Sequence, residues 1–314
     1  MQGNILTIFG GSGFIASEIV YKLSKSFKEI RLLTRNTQAC NHLKVIKNIQ
    51  IHLYEPSNVS SYSIHVNESD VVINTVGILN ESRKQSFDDI HFDFVRKIIN
   101  KSKESSVKKF IQLSALNADE SGLSKYLQSK GKADKYISSM SSTSFKTVIL
   151  RPSIVFGEKD SFFNRFKSLL KLLPVFPLAC PNSMFSPVYV KDLTGFIKEA
   201  SLTDKYDNTI QNVTGPKDYK FIELINFILS TMKIKRLIIP LNYSLSKLQA
   251  FAFTYLPGNI FTLDNFKSLQ VDNISTGGLK GTSSIEEFVP PYLNNKGTKL
   301  DTYRKDSGLS LIHI

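Results

Sequence analysis

Short apolar runs alternate with stretches of helical spacing through the first half of the chain. Ile5–Phe9, Ile30–Leu33, Ile49–Leu53, Asp70–Asn74, Lys109–Leu113 and Thr147–Leu150 read as strands. They are close to continuously apolar, as strands covered on both faces of a parallel sheet must be. Between them, Ile15–Lys25, Phe87–Lys103 and Ser124–Met140 read as helices, and Ile90, Phe94 and Ile98 recur every four residues along one helix face. The alternation predicts an α/β fold with a Rossmann-type doubly wound parallel sheet. Its ligand crevice would lie at the carboxyl ends of the strands.

After Arg151-Pro152 the pattern changes. Phe162–Leu173, Phe221–Met232, Leu245–Tyr255 and Leu263–Leu269 read as helices, Pro187–Val190 and Thr209–Val213 as short strands, and Pro257-Gly258 as a breaker. The expected division is an NAD(P)-binding Rossmann domain over residues 1–150 and a smaller C-terminal α+β lobe over 151–300. That lobe would face substrate or partner, with some of its elements returning to the main sheet. Residues 301–314 form a tail without periodicity. No apolar run reaches the ~20 residues of a membrane span. The N-terminus enters a strand at once, which leaves no room for a signal peptide.

Composition changes this picture little. A hydrophobic fraction of 41% and a charged fraction of 21% are those of a globular protein. The formal charge of +13 raises a nucleic-acid or membrane reading. However, 20 basic residues face 13 acidic ones in residues 1–150, and 20 face 14 in the remainder. So even a spread fits a solvated surface or weak attraction to anionic lipid, and no nucleic-acid partner is expected. The two cysteines, Cys40 and Cys180, form no CxxC pair, and the five histidines lack ligand spacing. No metal is expected, and a reducing, cytoplasmic setting suits the chain.

Candidate chemistry begins directly after the first strand. Gly10, Gly13 and Ala16 make a GxxGxxA pattern at the head of a helix. Gly10 permits the tight turn, Gly13 lets the backbone approach a pyrophosphate, and a small residue at 16 lets helix and strand pack closely. Ser12, Gly13, Phe14 and Ile15 would then present amides to the anion at the positive end of the helix. The second strand ends Leu33-Thr34-Arg35-Asn36, without the acid that usually holds an NAD ribose. A guanidinium at Arg35 can instead pair with a 2′-phosphate, so NADPH is favoured over NADH. Glu55, at the end of the third strand, would border adenine. Thr75, Val76 and Gly77, at the end of the fourth, would border the nicotinamide-side ribose.

Ser114 closes the fifth strand, and Tyr126 and Lys130 follow within a helical stretch at i, i+4, on one face. A nearby ammonium lowers a phenol's pKa, so Tyr126 could exchange a proton while Ser114 holds a substrate carbonyl. The plainer alternative is that Lys130 only holds ribose hydroxyls and Tyr126 packs.

This order of residues resembles the extended short-chain dehydrogenase/reductase family. The branch it resembles best is the accessory NADPH-binding subunit of respiratory complex I and its stand-alone bacterial relatives. The resemblance rests on Gly10-Gly11-Ser12-Gly13-Phe14-Ile15, Asn74-Thr75-Val76-Gly77-Ile78-Leu79, Ser86-Phe87-Asp88-Asp89-Ile90-His91 and Gln112-Leu113-Ser114-Ala115-Leu116-Asn117. Further on it rests on Leu150-Arg151-Pro152, Asp160-Ser161-Phe162-Phe163-Asn164-Arg165-Phe166, Pro187-Val188-Tyr189-Val190-Lys191-Asp192-Leu193 and Thr262-Leu263-Asp264-Asn265-Phe266. Ala16 and Glu55 depart from it, standing where Gly and Asp are usual. The resemblance implies tightly held NADPH, a peripheral position on the inner face of the energy-coupling membrane, and a role in which the cofactor is largely structural.

Three functions stay open on the sequence. The first is a complex I accessory-type protein, and the second an NADPH-dependent oxidoreductase acting on a small apolar carbonyl or quinone-like substrate. The third is a sugar-nucleotide epimerase or dehydratase. The second lobe, with Phe162, Phe163, Phe166, Leu169 and Leu170, offers apolar side chains rather than the polar ones a nucleotide sugar needs. Most of them are expected in a core at helical spacing.

Overall fold

The computed structural model describes residues 3–255 and 261–294. The breaker Pro257-Gly258 and the tail 301–314 lie outside the described residues. The first half runs β1 (Gly3–Phe9), α1 (Phe14–Leu23), β2 (Phe27–Thr34), a 3-10 turn, β3 (Ile49–Leu53), α2 (Ser60–Val66) and β4 (Val71–Asn74). A π-helical turn over Asp88–Asp93 leads into α3 (Phe94–Glu104), followed by β5 (Lys109–Leu113), α4 (Lys125–Met140) and β6 (Lys146–Pro152). All six expected strands form, pair in parallel, and stand in the order β3-β2-β1-β4-β5-β6. That is the doubly wound order, whose switch point lies between β1 and β4.

The second half contributes more to this sheet than its own pattern indicates. It contains β7 (Val155–Phe156), α5 (Phe162–Leu172), β8 (Val175–Leu178), β9 (Met184–Phe185), β10 (Val188–Tyr189), α6 (Val190–Leu202) and β11 (Thr209–Thr214). Then follow β12 (Tyr219–Lys220), α7 (Phe221–Met232), β13 (Leu237–Pro240), α8 (Tyr243–Thr254), α9 (Leu263–Ser268), β14 (Leu279–Lys280) and α10 (Ile285–Asn294). β11 pairs with β6, and β14 with β11, so the main sheet has eight strands drawn from both sides of residue 150. The helix α6, which the sequence reading did not mark, packs on α1 and buries Leu193 and Ile197 against the sheet.

Burial follows from this layering. One face of the sheet, with Ile8, Ile30 and Ile73, packs on Ile19 and Val20 of α1 and Leu193 of α6. The other, with Phe9, Val72 and Phe110, packs on Tyr62 of α2, Ile98 of α3 and Ile137 of α4. The remaining lobe has a separate core built from α5, α7 and α10. Phe163 and Leu170 are buried in it, and Phe162, Phe166, Leu169 and Leu173 pack against it half-buried.

Candidate dinucleotide site

The strand–loop–helix corner forms as its sequence requires. Gly10 has φ +85°, and a Cβ there would lie 2.5 Å from Thr75 Oγ1, so both its backbone and its surroundings demand glycine. Gly11 is held by its amide donating to Leu33 O (2.9 Å), and a Cβ there would lie 2.5 Å from Leu32 Cγ. Gly13 differs. Its φ is −74°, and a Cβ would meet only Gly10 O, at 3.1 Å. The fold therefore constrains Gly10 and Gly11 tightly and Gly13 mildly, and free space remains where the backbone would meet a ligand. No side chain caps α1, and among the described residues the amides of Ser12, Phe14 and Ile15 have no acceptor. Such a corner suits an anionic diphosphate.

The rim continues along β4. Thr75 donates both its amide (3.1 Å) and its hydroxyl (2.7 Å) to Phe9 O, tying the end of β4 to the end of β1. Val76 N donates to Asn74 Oδ1 (3.1 Å). A Cβ on Gly77 would lie 3.4 Å from Lys130 Nζ and 3.6 Å from His91 Nε2. The loop Gly10–Ile15, the segment Thr75–Gly77 and Lys130 thus form one continuous line. Arg35 and Glu55 lie exposed at the ends of β2 and β3. Arg35 has no hydrogen bond or ion pair among the described residues, whereas the Glu55 carboxylate accepts from Ser57 Oγ (2.7 Å).

The remaining candidates lie on α4 and at the end of β5. Lys130 is buried, and its Nζ donates to Leu113 O (3.4 Å). Burial pulls it down to about 8, partly offset by Asp134. Tyr126 is not the depressed phenol that the sequence suggested. Burial, reinforced by the Asp134 carboxylate, pushes it up to about 12. Its ring meets His91 edge-on at 5.4 Å and Phe87 at 5.6 Å, and its hydroxyl makes no hydrogen bond among the described residues.

Ser114 is engaged elsewhere. Its Oγ donates to Asp134 Oδ2 (2.8 Å), and Arg151 Nε donates to the same oxygen (2.7 Å). Asp134, four residues beyond Lys130, was not singled out in the sequence. The clue was its place on the Tyr126–Lys130 face of an amphipathic helix, a position where an acid must find partners.

A second feature absent from the sequence reading closes the site from above. The Asp264 carboxylate in α9 accepts from the amides of Lys125 (2.7 Å) and Tyr126 (3.2 Å), capping α4 from 138 residues away. Ser268 Oγ donates to Ser124 Oγ (2.8 Å), and Asn265 Nδ2 donates to Leu79 O (3.3 Å). Immediately before this strap stands α8, which is built inside out. It buries Ser246 and Ala250 while Leu248 is 61% and Phe251 51% exposed. Beside it, the β8–β13 ribbon exposes Val175, Leu237 and Ile239. No acid occurs between Asp160 and Asp192 or between Glu223 and Asp264, while Lys171, Lys233, Lys235, Arg236 and Lys247 do. Among the described residues no helix is long and apolar enough to cross a membrane.

Comparison with known proteins agrees with this geometry. Residues 10–163 match the NAD(P)H-binding family. The NADH dehydrogenase [ubiquinone] 1 alpha subcomplex subunit 9, mitochondrial, of Mus musculus is 31% identical over 235 residues, covering 73% of this chain and 61% of that protein. The chain thus spans about three fifths of that relative's length. Among solved structures, the NADPH-dependent quinone oxidoreductase QOR2 of Escherichia coli, complexed with NADPH, superposes with a TM-score of 0.73 at 13% identity, covering 92% of this chain and all of that one. The UDP-N-acetylglucosamine 4-epimerase of Methanobrevibacter ruminantium M1 gives 0.67 at 18% identity, covering 96% of this chain and 100% of that one. At such identities these two establish the fold and nothing about chemistry.

Proposed function

We propose that this chain, a relative of the subunit 9 proteins of NADH dehydrogenase with an NAD(P)H-binding first half, holds NADPH as a largely structural part of its fold. The observation that carries this reading is the engagement of Ser114. A hydroxyl that donates to a buried carboxylate has no second proton to offer a substrate carbonyl. Asp134 sits eight residues beyond Tyr126, about 12 Å along the helix axis. The Ser114 hydroxyl is therefore committed to Asp134 and not to the phenol. The high pKa of Tyr126 keeps the phenol protonated at neutral pH, a form that can donate a proton but not abstract one.

The preference for NADPH over NADH rests on the exposed, unpaired Arg35 at the end of β2. The partner we propose is respiratory complex I or the adjoining inner face of its membrane, reached in a peripheral manner through the apolar, cation-rimmed face of α8. Large apolar side chains turned outward on a helix with small residues inward suit a surface that is covered in use.

A second reading keeps one observation in its favour. The free Tyr126 hydroxyl is available to a small apolar carbonyl or quinone-like compound. The two readings separate on purified protein, first by identifying the co-purifying dinucleotide by mass spectrometry. Nicotinamide absorbance is then followed with added quinones and ketones. Held NADPH that stays reduced supports the structural role; steady oxidation that stops in Tyr126→Phe would replace it with the enzymatic one.

A further inference from the structure

His91 belongs to a motif, Ser86 to His91, that the cofactor contacts described above leave unused. It is fully buried, yet it lies at the centre of the π-helical turn Asp88–Asp93, where the extra residue per turn redirects side chains that a regular helix would place elsewhere. Both ring nitrogens are engaged. Nε2 accepts from Ile78 N (3.0 Å), and a nitrogen that accepts carries no proton. The proton of the neutral ring therefore sits on Nδ1, which stands 3.0 Å from Ser129 Oγ, and that hydroxyl donates onward to Tyr126 O (2.9 Å). The ring itself stacks on Phe87 at 5.5 Å and meets the edge of Tyr126. The one cation it faces among the described residues is Lys130, across Gly77.

We propose that His91 is a positioning residue for the nicotinamide-ribose half of the dinucleotide site. Its neutral imidazole fixes the Gly77–Ile78 backbone on one side and, through Ser129, the first turn of α4 on the other. This inference rests on the dinucleotide reading and adds to it a residue that acts through the Gly77–Ile78 backbone. Protonation would cost the Ile78 bond and place two buried cations side by side. Burial and the Lys130 charge hold the ring far below its usual range, at about 2, in keeping with that role.

The test compares two ligands on three proteins. NADPH spans both halves of the site, whereas adenosine 2′,5′-bisphosphate lacks the nicotinamide ribose. In His91→Leu, NADPH should weaken on the order of tenfold, the effect of about one lost hydrogen bond, while the bisphosphate stays within twofold. His91→Asn, which can accept from Ile78 and donate to Ser129, should recover most of the loss. Equal weakening of both ligands, or no rescue by asparagine, would assign His91 to packing alone. Should His91→Leu not fold, 15N NMR of the wild-type ring decides. A neutral Nδ1–H tautomer that persists to about pH 5 supports the proposal, and titration near the ordinary His value of ~6.5 overturns it. Wild-type protein that binds neither ligand would instead refute the dinucleotide reading, which is a separate failure.

Discussion

Ser114 Oγ and Asp134 Oδ2 lie 2.8 Å apart, both buried, with Arg151 Nε bound to the same carboxylate oxygen. The strand-end serine, the helix and the last strand of the first half are thus joined at one oxygen atom. Burial raises the pKa of Asp134, and Arg151 and Ser114 oppose that rise. Burial is the larger effect, so the carboxyl is held above its ordinary range despite these partners.

Removing that carboxyl should be costly to the fold. Asp134→Ala leaves Arg151 without its partner, but Arg151 remains 21% exposed and can draw on water. The cost should fall at or below the lower end of the ~3–5 kcal/mol seen when buried pairs are broken. Ser114→Ala should cost about 1 kcal/mol. Urea denaturation measures both. A Ser114→Ala protein that keeps its stability but loses carbonyl reduction would return Ser114 to a catalytic role.

The glycine loop offers a contrast within four residues. Gly10→Ala puts a Cβ 2.5 Å from Thr75 Oγ1 at a positive φ, so it should destabilise the fold by more than 1 kcal/mol. A Cβ at Gly13 meets only Gly10 O, at 3.1 Å, so Gly13→Val should stay folded while losing most of its NADPH affinity. Calorimetric titration and thermal melts on both variants read the two effects separately. Gly13→Val that binds NADPH normally would remove the loop from the phosphate site.

Much of this was legible in the sequence where a local rule and the tertiary fold agree. The six strands and the Gly10–Gly13 corner are cases, because continuous apolar runs and a left-handed glycine state their own environment. The return of β11 and β14 to the sheet was anticipated only in outline, since two short strands carry little periodic signal of their own. α6 was missed because Thr194 and Gly195 blur its Val190–Leu193–Ile197 stripe. The Ser114–Asp134 bond was not legible, because strand end and helix spacing fix which face of α4 Tyr126 and Lys130 occupy but not which side chain of that helix Ser114 meets. For α8 the sequence indicates only a helix over Leu245–Tyr255. That its apolar side points outward depends on which residues the β8 end accepts, and those are Ser246 and Ala250.

Arg35 should decide between the two nicotinamide dinucleotides. Hydrogen bonds to a charged group contribute about 1.5–3 kcal/mol each, so Arg35→Ala should weaken NADPH by tenfold or more and NADH little. Isothermal titration with both ligands gives the ratio directly. Equal losses would show that the guanidinium does not meet a 2′-phosphate.

Acid should destabilise the chain before its carboxylates titrate. His91, His52 and His65 all have folded pKa values below their ordinary range, in each case chiefly through burial. His52 and His65 also stack at 3.8 Å beside Arg31, so each opposes the other's charge. With folded values lowered, the unfolded chain binds more protons below pH ~6.5. Stability is then complete above that pH and falls as the medium becomes more acidic. The melting temperature should drop between pH ~6.5 and ~5, and His65→Gln should flatten that part of the curve. A flat wild-type profile over this interval would mean that the three rings titrate alike in both states.

The face of α8 should be the part of the molecule that a partner covers, and anionic lipid is the partner its chemistry best suits. Leu248 and Phe251 are more than half exposed, so changing both to Gln should move the folding free energy little. The same change removes two side chains that would each contribute roughly 1.5–3 kcal/mol when fully buried in the interface. Sedimentation with vesicles containing cardiolipin should therefore show binding by the wild type at low salt and a loss of more than tenfold in the double variant. Charge reversal at Lys235 and Lys247 should weaken binding at low salt and flatten its salt dependence, because the attraction it removes is the part that salt screens over about 8–10 Å at physiological ionic strength. Binding that survives the double variant would locate the lipid contact elsewhere. Absence of wild-type binding to vesicles, combined with protection of α8 from hydrogen exchange in a purified respiratory assembly, would assign this face to a protein partner instead.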